Sequence, residues 1–394
     1  MKKIIFFQIF DYRDVYFAIE NNQAETYVSQ KQFIEFTSSL MKSDDVSAVC
    51  IVSLLSSGKY DQIMPNGVRV IGIPFLADDP KQTQIKANKF VDLFAPTHAI
   101  IQVPLLGLLA KCIKNKIKTC LIIADSFTGT GLRGFIWTRM FAWLLNNKYV
   151  ELVSNHNYPA ANLLKSFGVK PNKIIPWDQS WDQQTDKFAV KVLNSLPDVW
   201  KFFYAGRILT EKGVGDIIQA ISLLKQNKVQ ACAVFVGSGN ITDFEKQAAD
   251  LGISENIAFL GSVAHAQVLS GMRNADIVIV PSQIKSSEGM PCTIYESFIV
   301  KTPLIISDHP MMKKAIKNCV FFKANDPGSL VEAVNQLSND LAVYNKLSAD
   351  SAAALSELIV PFDSIQILDH WLSGKQADKQ WLYEHSLKKL NKNY

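Results

Sequence analysis

The stretch FFYAGRILTEKGVGDIIQAISLL, residues 202–224, joins a short apolar run to a helical pattern through a polar turn. Phe202–Ala205 is apolar and aromatic, which is typical of a buried strand. Gly213 then opens a predicted helix over Val214–Gln226. A strand that leads directly into a helix is the repeating unit of a parallel sheet, so this stretch predicts an α/β domain.

The same alternation continues in both directions along the chain. Helical patterns, such as Ala24–Lys42 and Ser329–Ser338, separate the apolar runs. The segment Trp177–Asp198 lacks periodicity and divides the runs into two series. We therefore expect an α/β protein of two Rossmann-like, doubly wound domains that face a cleft, with ligands beyond the carboxyl ends of the strands. The expected strands are Ile4–Ile9, Ala48–Leu54, Val68–Ile73, Ala99–Val103, Thr119–Ala124, Trp200–Ala205, Ala231–Val236, Ile257–Leu260, Ile277–Val280 and Pro303–Ser307.

The composition limits the class of protein. Of the 394 residues, 48% are hydrophobic, and 41 basic and 36 acidic residues give a formal net charge of +5. This mild excess suits an anionic ligand or a lipid headgroup surface and does not suggest a nucleic-acid partner. The six cysteines form no C-x-x-C pair, which indicates reduced thiols in a cytoplasmic protein.

The sequence predicts neither a transmembrane helix nor a secretory signal. The longest apolar stretch, Ala99–Ala110, contains Gln102 and Pro104 and is shorter than the ~20 residues of a spanning helix. The opening run MKKIIFFQIFDYRD ends at Asp11 without a small-residue cleavage site, so we expect it to form the first strand.

Two polar turns after predicted strands carry residues that suit a ligand. Arg207 and Lys212 can straddle a diphosphate, although a solvated loop is the more common explanation for two such charges taken alone. Gly237-Ser238-Gly239 either lets the backbone approach a ligand or forms a plain tight turn. It lacks the third glycine of a dinucleotide-binding fingerprint.

The segment SSEGMPCTIYES, residues 286–297, contains two glutamates eight positions apart. Pro291 suits the first position of a helix Pro291–Val300, whose exposed N–H groups favour a phosphate. Glu296 lies among apolar residues and needs hydrogen-bond donors, which the two hydroxyls of a ribose would supply. Glu288 would then face a sugar beyond the phosphates. Alternatively, Glu288 is exposed and Glu296 belongs to a local network.

Together these segments resemble one known family. FFYAGRILTEKGVGDIIQAISLL, AVFVGSGN, IAFLGSV, ADIVIVPS, SEGMPCTIYES and TPLIISD occur in the order and at roughly the spacing of retaining glycosyltransferases of family 4, which have the GT-B fold and a Glu-x7-Glu signature. The resemblance covers residues 200–340. It implies a UDP- or GDP-sugar donor held mainly by the C-terminal domain, without a divalent metal ion or another cofactor.

The resemblance assigns roles by position. Arg207 and Lys212 would bind the diphosphate, Glu296 the ribose and Glu288 the transferred sugar. Gly261 and Val263 would lie near the base. The implied donor-binding set is Arg207, Lys212, Gly237, Gly261, Val263, Glu288, Gly289, Met290, Pro291, Cys292, Thr293 and Glu296. The implied catalytic set is Glu288, Arg207, Lys212 and Asp125.

The N-terminal half matches the family more loosely. Asn21 and Asn22 replace paired glycines, and Ala124 replaces a histidine. The adjacent Asp125 either positions an acceptor hydroxyl or caps a turn. Asp178 or Asp182 would lie near the hinge, and His309-Pro310-Met311-Met312 replaces a Gly-Gly…Glu loop. The expected domains are 1–180 (acceptor), 181–198 (linker), 199–360 (donor) and 361–394 (helices that cross back to the first domain).

Two kinds of residue invite further site hypotheses. The six histidines lack ligand spacing, and the pairs Asp44-Asp45 and Asp78-Asp79 lie in polar turns, so we expect no metal site. Two amphipathic stretches either pack on the protein itself or touch anionic lipid. They are Leu132–Leu145 with Phe135, Trp137, Phe141 and Trp143 beside Arg133 and Arg139, and Tyr383, Leu387, Leu390 and Tyr394 beside Lys388, Lys389 and Lys392.

We therefore expect a retaining, hexosyltransferase-type glycosyltransferase that acts on a saccharide or a lipid-linked saccharide in bacterial surface polysaccharide or lipopolysaccharide synthesis. The alternatives are a nucleotide-sugar isomerase or phosphorylase on the same fold, and a donor-binding protein without transferase activity. We expect the protein in the cytoplasm, either free or at the cytoplasmic face of the inner membrane.

Overall fold

A computed structural model describes residues 1–23, 25, 29–74, 80–127, 131–181 and 184–390. The chain divides into two compact units. The first comprises residues 1–180 and 360–394, and the second comprises residues 181–359. The expected Asp78-Asp79 pair, Asp182 and Tyr394 lie outside the described residues.

The described residues form fourteen strands and seventeen α-helices. The strands β1 to β14 are Lys2–Gln8, Val46–Ser56, Tyr60–Ile63, Arg69–Pro74, His98–Ile101, Lys118–Ile123, Val150–His156, Ile174–Trp177, Trp200–Ala205, Ala231–Val236, Ile257–Phe259, Ile277–Val280, Leu304–Ser307 and Val320–Phe322. The helices α1 to α17 are Tyr12–Glu20, Gln30–Met41, Pro80–Phe94, Leu106–Lys114, Gly131–Leu145, Asn157–Phe167, Val214–Gln226, Ile241–Asp250, His265–Asn274, Cys292–Ile299, Pro310–Ala315, Pro327–Asn339, Leu341–Ala349, Ser351–Leu358, Ser364–Ser373, Gln376–Glu384 and Leu387–Leu390.

The first unit is built on an eight-stranded sheet. Its strand order is β3-β4-β2-β1-β5-β6-β7-β8, and only the edge pair β3–β4 is antiparallel. Residues 4–7 of β1 are fully buried. This burial explains why the strand is apolar on both faces, as expected for a parallel sheet covered by helices. Helix α15 comes from the C-terminal segment of this unit. Its Trp371 Nε1 donates to Oε2 of Glu151 in β7 at 3.0 Å.

The second unit is built on a six-stranded parallel sheet. Its strand order is β11-β10-β9-β12-β13-β14. Counted within the unit this is the order 3-2-1-4-5-6, so successive strands are added in opposite directions on either side of the β9–β12 pair. Such a reversal opens a crevice at the carboxyl ends of the two central strands, and ligands bind there in doubly wound folds.

The structure corrects several expected element boundaries. The helix expected over Ala24–Lys42 is α2, which begins at Gln30, and Ala24 lies outside the described residues. Helix α1 was not expected; the side chain of Asp11 caps it by accepting from the N–H groups of Arg13 and Asp14. The strands β3, β7, β8 and β14 were also not among those expected.

The segment expected as a linker is bonded to the second unit. Lys191 Nζ donates to the carbonyl of Arg273 at 2.8 Å, and Lys191 N donates to Ser348 Oγ at 2.8 Å. In the described part of the chain, no helix is both long and apolar enough to span a membrane.

His98 provides a test of how α15 is packed on the first sheet. Its ring meets Trp371 edge-on with centroids 5.5 Å apart. Burial lowers the pKa of His98 to about 4, and the charges of Lys118 and Lys2 act in the same direction. Because this value lies below the ~6.5 of an unfolded histidine, the unfolded chain binds the proton first as the pH falls. Protonation therefore removes stability between pH 7 and pH 5.

We predict that His98→Gln makes the free energy of unfolding less dependent on pH. Between pH 7 and pH 5, the wild-type protein should lose about 1–2 kcal/mol more than the variant. Urea denaturation at both pH values measures the difference. Equal losses in the two proteins would show that His98 is not held neutral in the folded state.

Candidate functional site

The crevice between β9 and β12 is formed by two loops that touch through their backbones. Gly213 has φ +74, and a Cβ at this position would lie 2.0 Å from the carbonyl oxygen of Pro281. The backbone N–H of Gln283 donates to the carbonyl of Glu211 at 3.0 Å. The loop after β9 and the loop after β12 are therefore held side by side, and a larger residue than glycine would separate them.

This contact brings Lys212 against Glu288. Lys212 Nζ lies 2.5 Å from Glu288 Oε1, which also accepts from Ser282 Oγ at 2.7 Å and Ser286 Oγ at 3.1 Å. Glu288 is only 8% exposed. The hypothesis that Glu288 is an exposed acid is therefore wrong. Because a buried carboxylate needs donors, the ammonium and the two hydroxyls offset the cost of burying the Glu288 side chain.

His309 is hydrogen-bonded to the loop that carries Glu288. It is 1% exposed, Nε2–H donates to the carbonyl of Ser286 at 3.1 Å, and Nδ1 accepts from Met311 N at 3.3 Å. Burial lowers the pKa of His309, which agrees with a neutral ring that donates once and accepts once. Sequence reasoning noted only that the family's loop is replaced here, and it missed this support of Ser286.

The start of α10 lies beside the end of β9. Thr293 Oγ1 donates to the carbonyl of Ala205 at 3.0 Å, which fixes the helix start against the strand that leads to Arg207. Pro291 is the N-cap residue, with φ −59 and ψ 127, and Cys292 is the first helical residue. The expectation that Pro291 occupies the first helical position is therefore wrong by one residue. The N–H groups at this helix start still favour an anion.

Glu296 lies inside α10 and is paired with a histidine that sequence reasoning missed. Its side chain is 8% exposed, and Oε1 lies 2.8 Å from His265 Nε2 at the start of α9. Glu296 therefore belongs to a hydrogen-bond network within the protein, which was the alternative to the ribose interpretation. The two residues are 31 positions apart and share no local pattern, so nothing in the sequence pointed to the pair.

The remaining residues of the expected donor set have separate surroundings. Arg207 is exposed, and its carbonyl accepts from Tyr204 Oη at 2.7 Å. Met290 is buried. Gly289, Pro291 and Cys292 are partly exposed. Val263 borders a cavity of about 350 Å³ elsewhere in the second unit.

Gly237 has a structural reason to be glycine. It has φ +138, and a Cβ there would lie 1.8 Å from the carbonyl oxygen of Gly206. Its N–H donates to the carbonyl of Gly261 at 2.8 Å, and Ile208 N donates to the carbonyl of Ser238 at 2.8 Å. The loops after β9 and β10 therefore continue the pairing of the strands beyond the sheet, so the close approach that Gly237 permits is to the backbone of the neighbouring loop.

Asp125 lies in the first unit, whereas Arg207, Lys212 and Glu288 lie in the second. Asp125 Oδ1 accepts from Phe127 N at 2.7 Å, and Asn155 bonds both backbone groups of Asp125. These contacts favour the turn-capping interpretation. Asp178 is fully buried and lies within 3.0 Å of His156 Nε2, so it is a core contact of the first unit.

A pocket of about 360 Å³ opens in the first unit at the carboxyl ends of β1, β5, β6 and β8. Its described lining combines amide and hydroxyl side chains with aromatic rings and contains no charged residue. Neutral saccharides suit such a lining, because sugar hydroxyls bond amides and the apolar sugar face packs on aromatic rings. The lining residues are Ile9, Phe10, Ser29, Gln30, Phe33, Gln102, Ile122, Ala124, Trp177, Gln179, Ser364 and Ile365.

Among the residues that the structure describes, no group of three or more His, Cys, Asp or Glu side chains is arranged to hold a metal ion.

The residues that form the crevice lie in the part of the chain that matches a known family model. Residues 186–352 match the family model described as "Glycosyl transferases group 1". An uncharacterized glycosyltransferase of Methanocaldococcus jannaschii is 24% identical over 202 residues, which are 46% of this chain and 50% of that protein. The amylovoran biosynthesis glycosyltransferase AmsK of Erwinia amylovora is 25% identical over 141 residues, 35% of each chain. The chain thus spans half or less of the length of these two relatives.

Solved structures share the fold at low sequence identity. Anabaena HepE in complex with UDP-glucose superposes with a TM-score of 0.62 at 14% identity, over 95% of this chain and all of that chain. Sucrose-phosphate synthase from Thermosynechococcus elongatus superposes with a TM-score of 0.65 at 13% identity, over 94% and 98% of the two chains. The expected fold class, an α/β protein of the GT-B type with two doubly wound sheets, is confirmed.

We predict that Gly237→Ala destabilises the second unit by about 3 kcal/mol or more, because the new Cβ overlaps the Gly206 carbonyl. Gly252→Ala is the matched control. Gly252 also has a positive φ, +65, but no atom lies within 4 Å of the added Cβ. This control should cost only about 1 kcal/mol. Denaturant unfolding measures both values, and equal losses would contradict the close approach of the two loops.

Proposed function

We propose that the protein is a retaining glycosyltransferase that moves a sugar from a nucleotide sugar to an acceptor hydroxyl. One observation carries the proposal. The crevice of a glycosyl transferases group 1 domain brings Lys212, Glu288 and the start of α10 together within a few side-chain lengths. A cation, a helix start and a recessed acid are the groups that a sugar bound to a diphosphate requires.

The donor would exchange contacts with groups that already pair in the structure. Arg207, Lys212 and the start of α10 bind the diphosphate, and Lys212 leaves Glu288 for a phosphate oxygen. Glu288 then accepts hydrogen bonds from the transferred sugar instead. The ribose hydroxyls donate to Glu296, which His265 holds in place. Hydrogen bonds to charged groups of this kind each contribute about 1.5–3 kcal/mol.

The chemistry proposed is electrostatic. The departing diphosphate gains negative charge as the glycosidic bond breaks, and Arg207, Lys212 and the dipole of α10 stabilise that charge. The leaving phosphate accepts the proton of the incoming hydroxyl on the same face of the sugar. The anomeric configuration is thereby retained without a protein nucleophile, a metal ion or another cofactor.

The acceptor proposed is a saccharide, free or linked to lipid. The uncharged pocket in the first unit supports a neutral sugar there. The names of two relatives, the amylovoran glycosyltransferase AmsK and a putative teichuronic acid glycosyltransferase of Bacillus subtilis, support a role in surface polysaccharide synthesis. The structure of HepE has been solved with UDP and with UDP-glucose, so we choose UDP as the first nucleotide to test.

We predict that Glu296→Gln weakens UDP binding about tenfold or more, because a neutral amide replaces the acceptor of the ribose hydroxyls. Isothermal titration with UDP and with 2′-deoxy-UDP separates the ribose contact from the phosphate contacts. The wild-type protein should prefer UDP by about tenfold, and the variant should hardly discriminate.

Glu255→Gln is the matched control, because the side chain of Glu255 is 85% exposed in the same unit. It should bind both nucleotides like the wild-type protein. If the wild-type protein and Glu296→Gln discriminated equally between the two nucleotides, the assignment of the ribose contact to Glu296 would be wrong.

We predict a different effect for Glu288→Gln. The amide no longer holds Lys212, so UDP affinity should stay within about threefold of the wild-type value or increase. Sugar transfer from UDP-glucose to the acceptor or to water should fall by about 100-fold. Turnover assays and titration of the same protein samples measure the two effects. Loss of UDP affinity with unchanged turnover per bound nucleotide would contradict the assignment of Glu288 to the sugar.

A further inference from the structure

Helix α5 of the first unit exposes a row of large apolar side chains. Their exposed fractions are 74% for Leu132, 56% for Phe135, 57% for Ile136, 46% for Met140 and 71% for Trp143. Leu132, Ile136, Met140 and Trp143 follow one another at intervals of three or four residues, and Phe135 lies three after Leu132, so the five side chains lie along one face of the helix. Single exposed apolar residues are common on soluble proteins, but a row on one helix face marks an interaction surface. We call these five residues the α5 face.

The apolar character of the α5 face is not needed for folding. The opposite side of α5 already buries Phe141, Leu144 and Leu145 against the sheet. Trp137 lies between the two sides and stacks on Phe141 with centroids 4.9 Å apart. The expected stripe of four aromatic residues is thus divided, with Phe141 buried and Phe135 and Trp143 exposed. Polar residues would serve the outer side equally well if it faced only water.

The segment of the chain that contains α5 is strongly basic. Residues 93–177 contain ten Lys and Arg and only two acids, Asp125 and Glu151, which is a net charge of +8. The rest of the chain has 31 basic and 34 acidic residues, a net charge of −3. The positive charge of the whole protein therefore originates in this one segment, and that segment contains α5.

Cations lie within and beside the α5 face itself. Arg133 and Arg139 are exposed on α5, and Arg139 lies over the ring of Phe135, 5.1 Å from its centroid. Arg139 also donates to the carbonyl of Phe167 at 3.2 Å, which places the end of α6 with exposed Lys165 next to α5. Apolar side chains flanked by Arg and Lys are the pattern of a helix that lies in the headgroup region of a bilayer.

The second amphipathic stretch, at the C-terminus, does not offer such a surface in the described residues. A turn at His385 and Ser386 separates α16 from α17. Leu387 is 7% exposed and, like Leu390, packs on the core of the first unit. Lys388 and Lys389 lie over the ring of Tyr383 at 5.5 and 5.3 Å. This stretch packs on its own protein up to residue 390.

We propose that the α5 face docks the protein on an anionic phospholipid bilayer. The helix has 15 residues, about 22 Å in length, which is too short to cross the ~30 Å hydrocarbon core. It lies parallel to the surface, with Leu132, Ile136 and Trp143 among the acyl chains and Arg133 and Arg139 at the lipid phosphates. The proposal does not depend on the glycosyltransferase assignment, since it uses no residue of the crevice.

Sedimentation with vesicles tests the proposal. The full chain is mixed with vesicles of phosphatidylcholine alone or with about 30% phosphatidylglycerol, at low and at high salt. We expect binding to the anionic vesicles that weakens by about tenfold or more at high salt or without phosphatidylglycerol. The triple variant Leu132→Gln, Ile136→Gln, Trp143→Gln should reduce binding at least about tenfold, because it removes the inserted side chains.

The matched control is the double variant Ile85→Gln, Leu93→Gln on α3, whose targets are 48% and 74% exposed in the same unit. It should bind vesicles like the wild-type protein. Circular dichroism and UDP titration of every variant show that the fold and the crevice are intact. Binding by the triple variant at the wild-type level, or equal loss in the control, would overturn the proposal. A wild-type dimer that the triple variant converts to a monomer, with no vesicle binding by either, would assign the face to a second copy of the chain instead.

Discussion

The close contact between Gly213 and the carbonyl of Pro281 determines how the second unit presents its side chains. In a sheet of order 3-2-1-4-5-6, the strands β9 and β12 are neighbours. They are nevertheless far apart in the sequence, because 71 residues lie between the last residue of β9, Ala205, and the first residue of β12, Ile277. Their loops can meet only if one has no side chain at the contact. Lys212 and Glu288 are adjacent because of this contact. The start of α10 lies beside the end of β9, where Thr293 donates to the carbonyl of Ala205.

The two buried acids follow from the same constraint. A carboxylate in a crevice of low dielectric is tolerated only with compensating charge or donors. The protein provides Lys212, Ser282 and Ser286 for Glu288, and His265 for Glu296. A ligand that carries both phosphates and hydroxyls can take Lys212 from Glu288 and donate hydroxyl hydrogen bonds to both acids, so its binding does not leave a buried charge unpaired. This exchange makes a nucleotide sugar a better match than an anion alone.

Patterns within short segments could be predicted from the sequence, whereas pairings between distant segments could not. Strand β12 and helix α7 have the expected bounds because apolar runs and turn residues define them locally. Helix α1 was missed although Tyr12, Val15, Tyr16 and Ile19 recur at helical spacing, because the segment is only nine residues long. Strand β3 was missed because it is a four-residue edge strand with alternating exposure. His265 was seen only as a scattered histidine and His309 only as part of a replaced loop, since their partners Glu296 and Ser286 come from other parts of the chain.

The two surfaces of the account, the crevice of the second unit and the α5 face of the first, use different residues and different forces. The central claim concerns the crevice. A crystal structure of the protein with UDP tests it most directly. The account predicts the diphosphate at the start of α10 in contact with Arg207 and Lys212, and the ribose hydroxyls on Glu296. Well-ordered UDP bound at another place, with the Lys212–Glu288 pair unchanged, would contradict it.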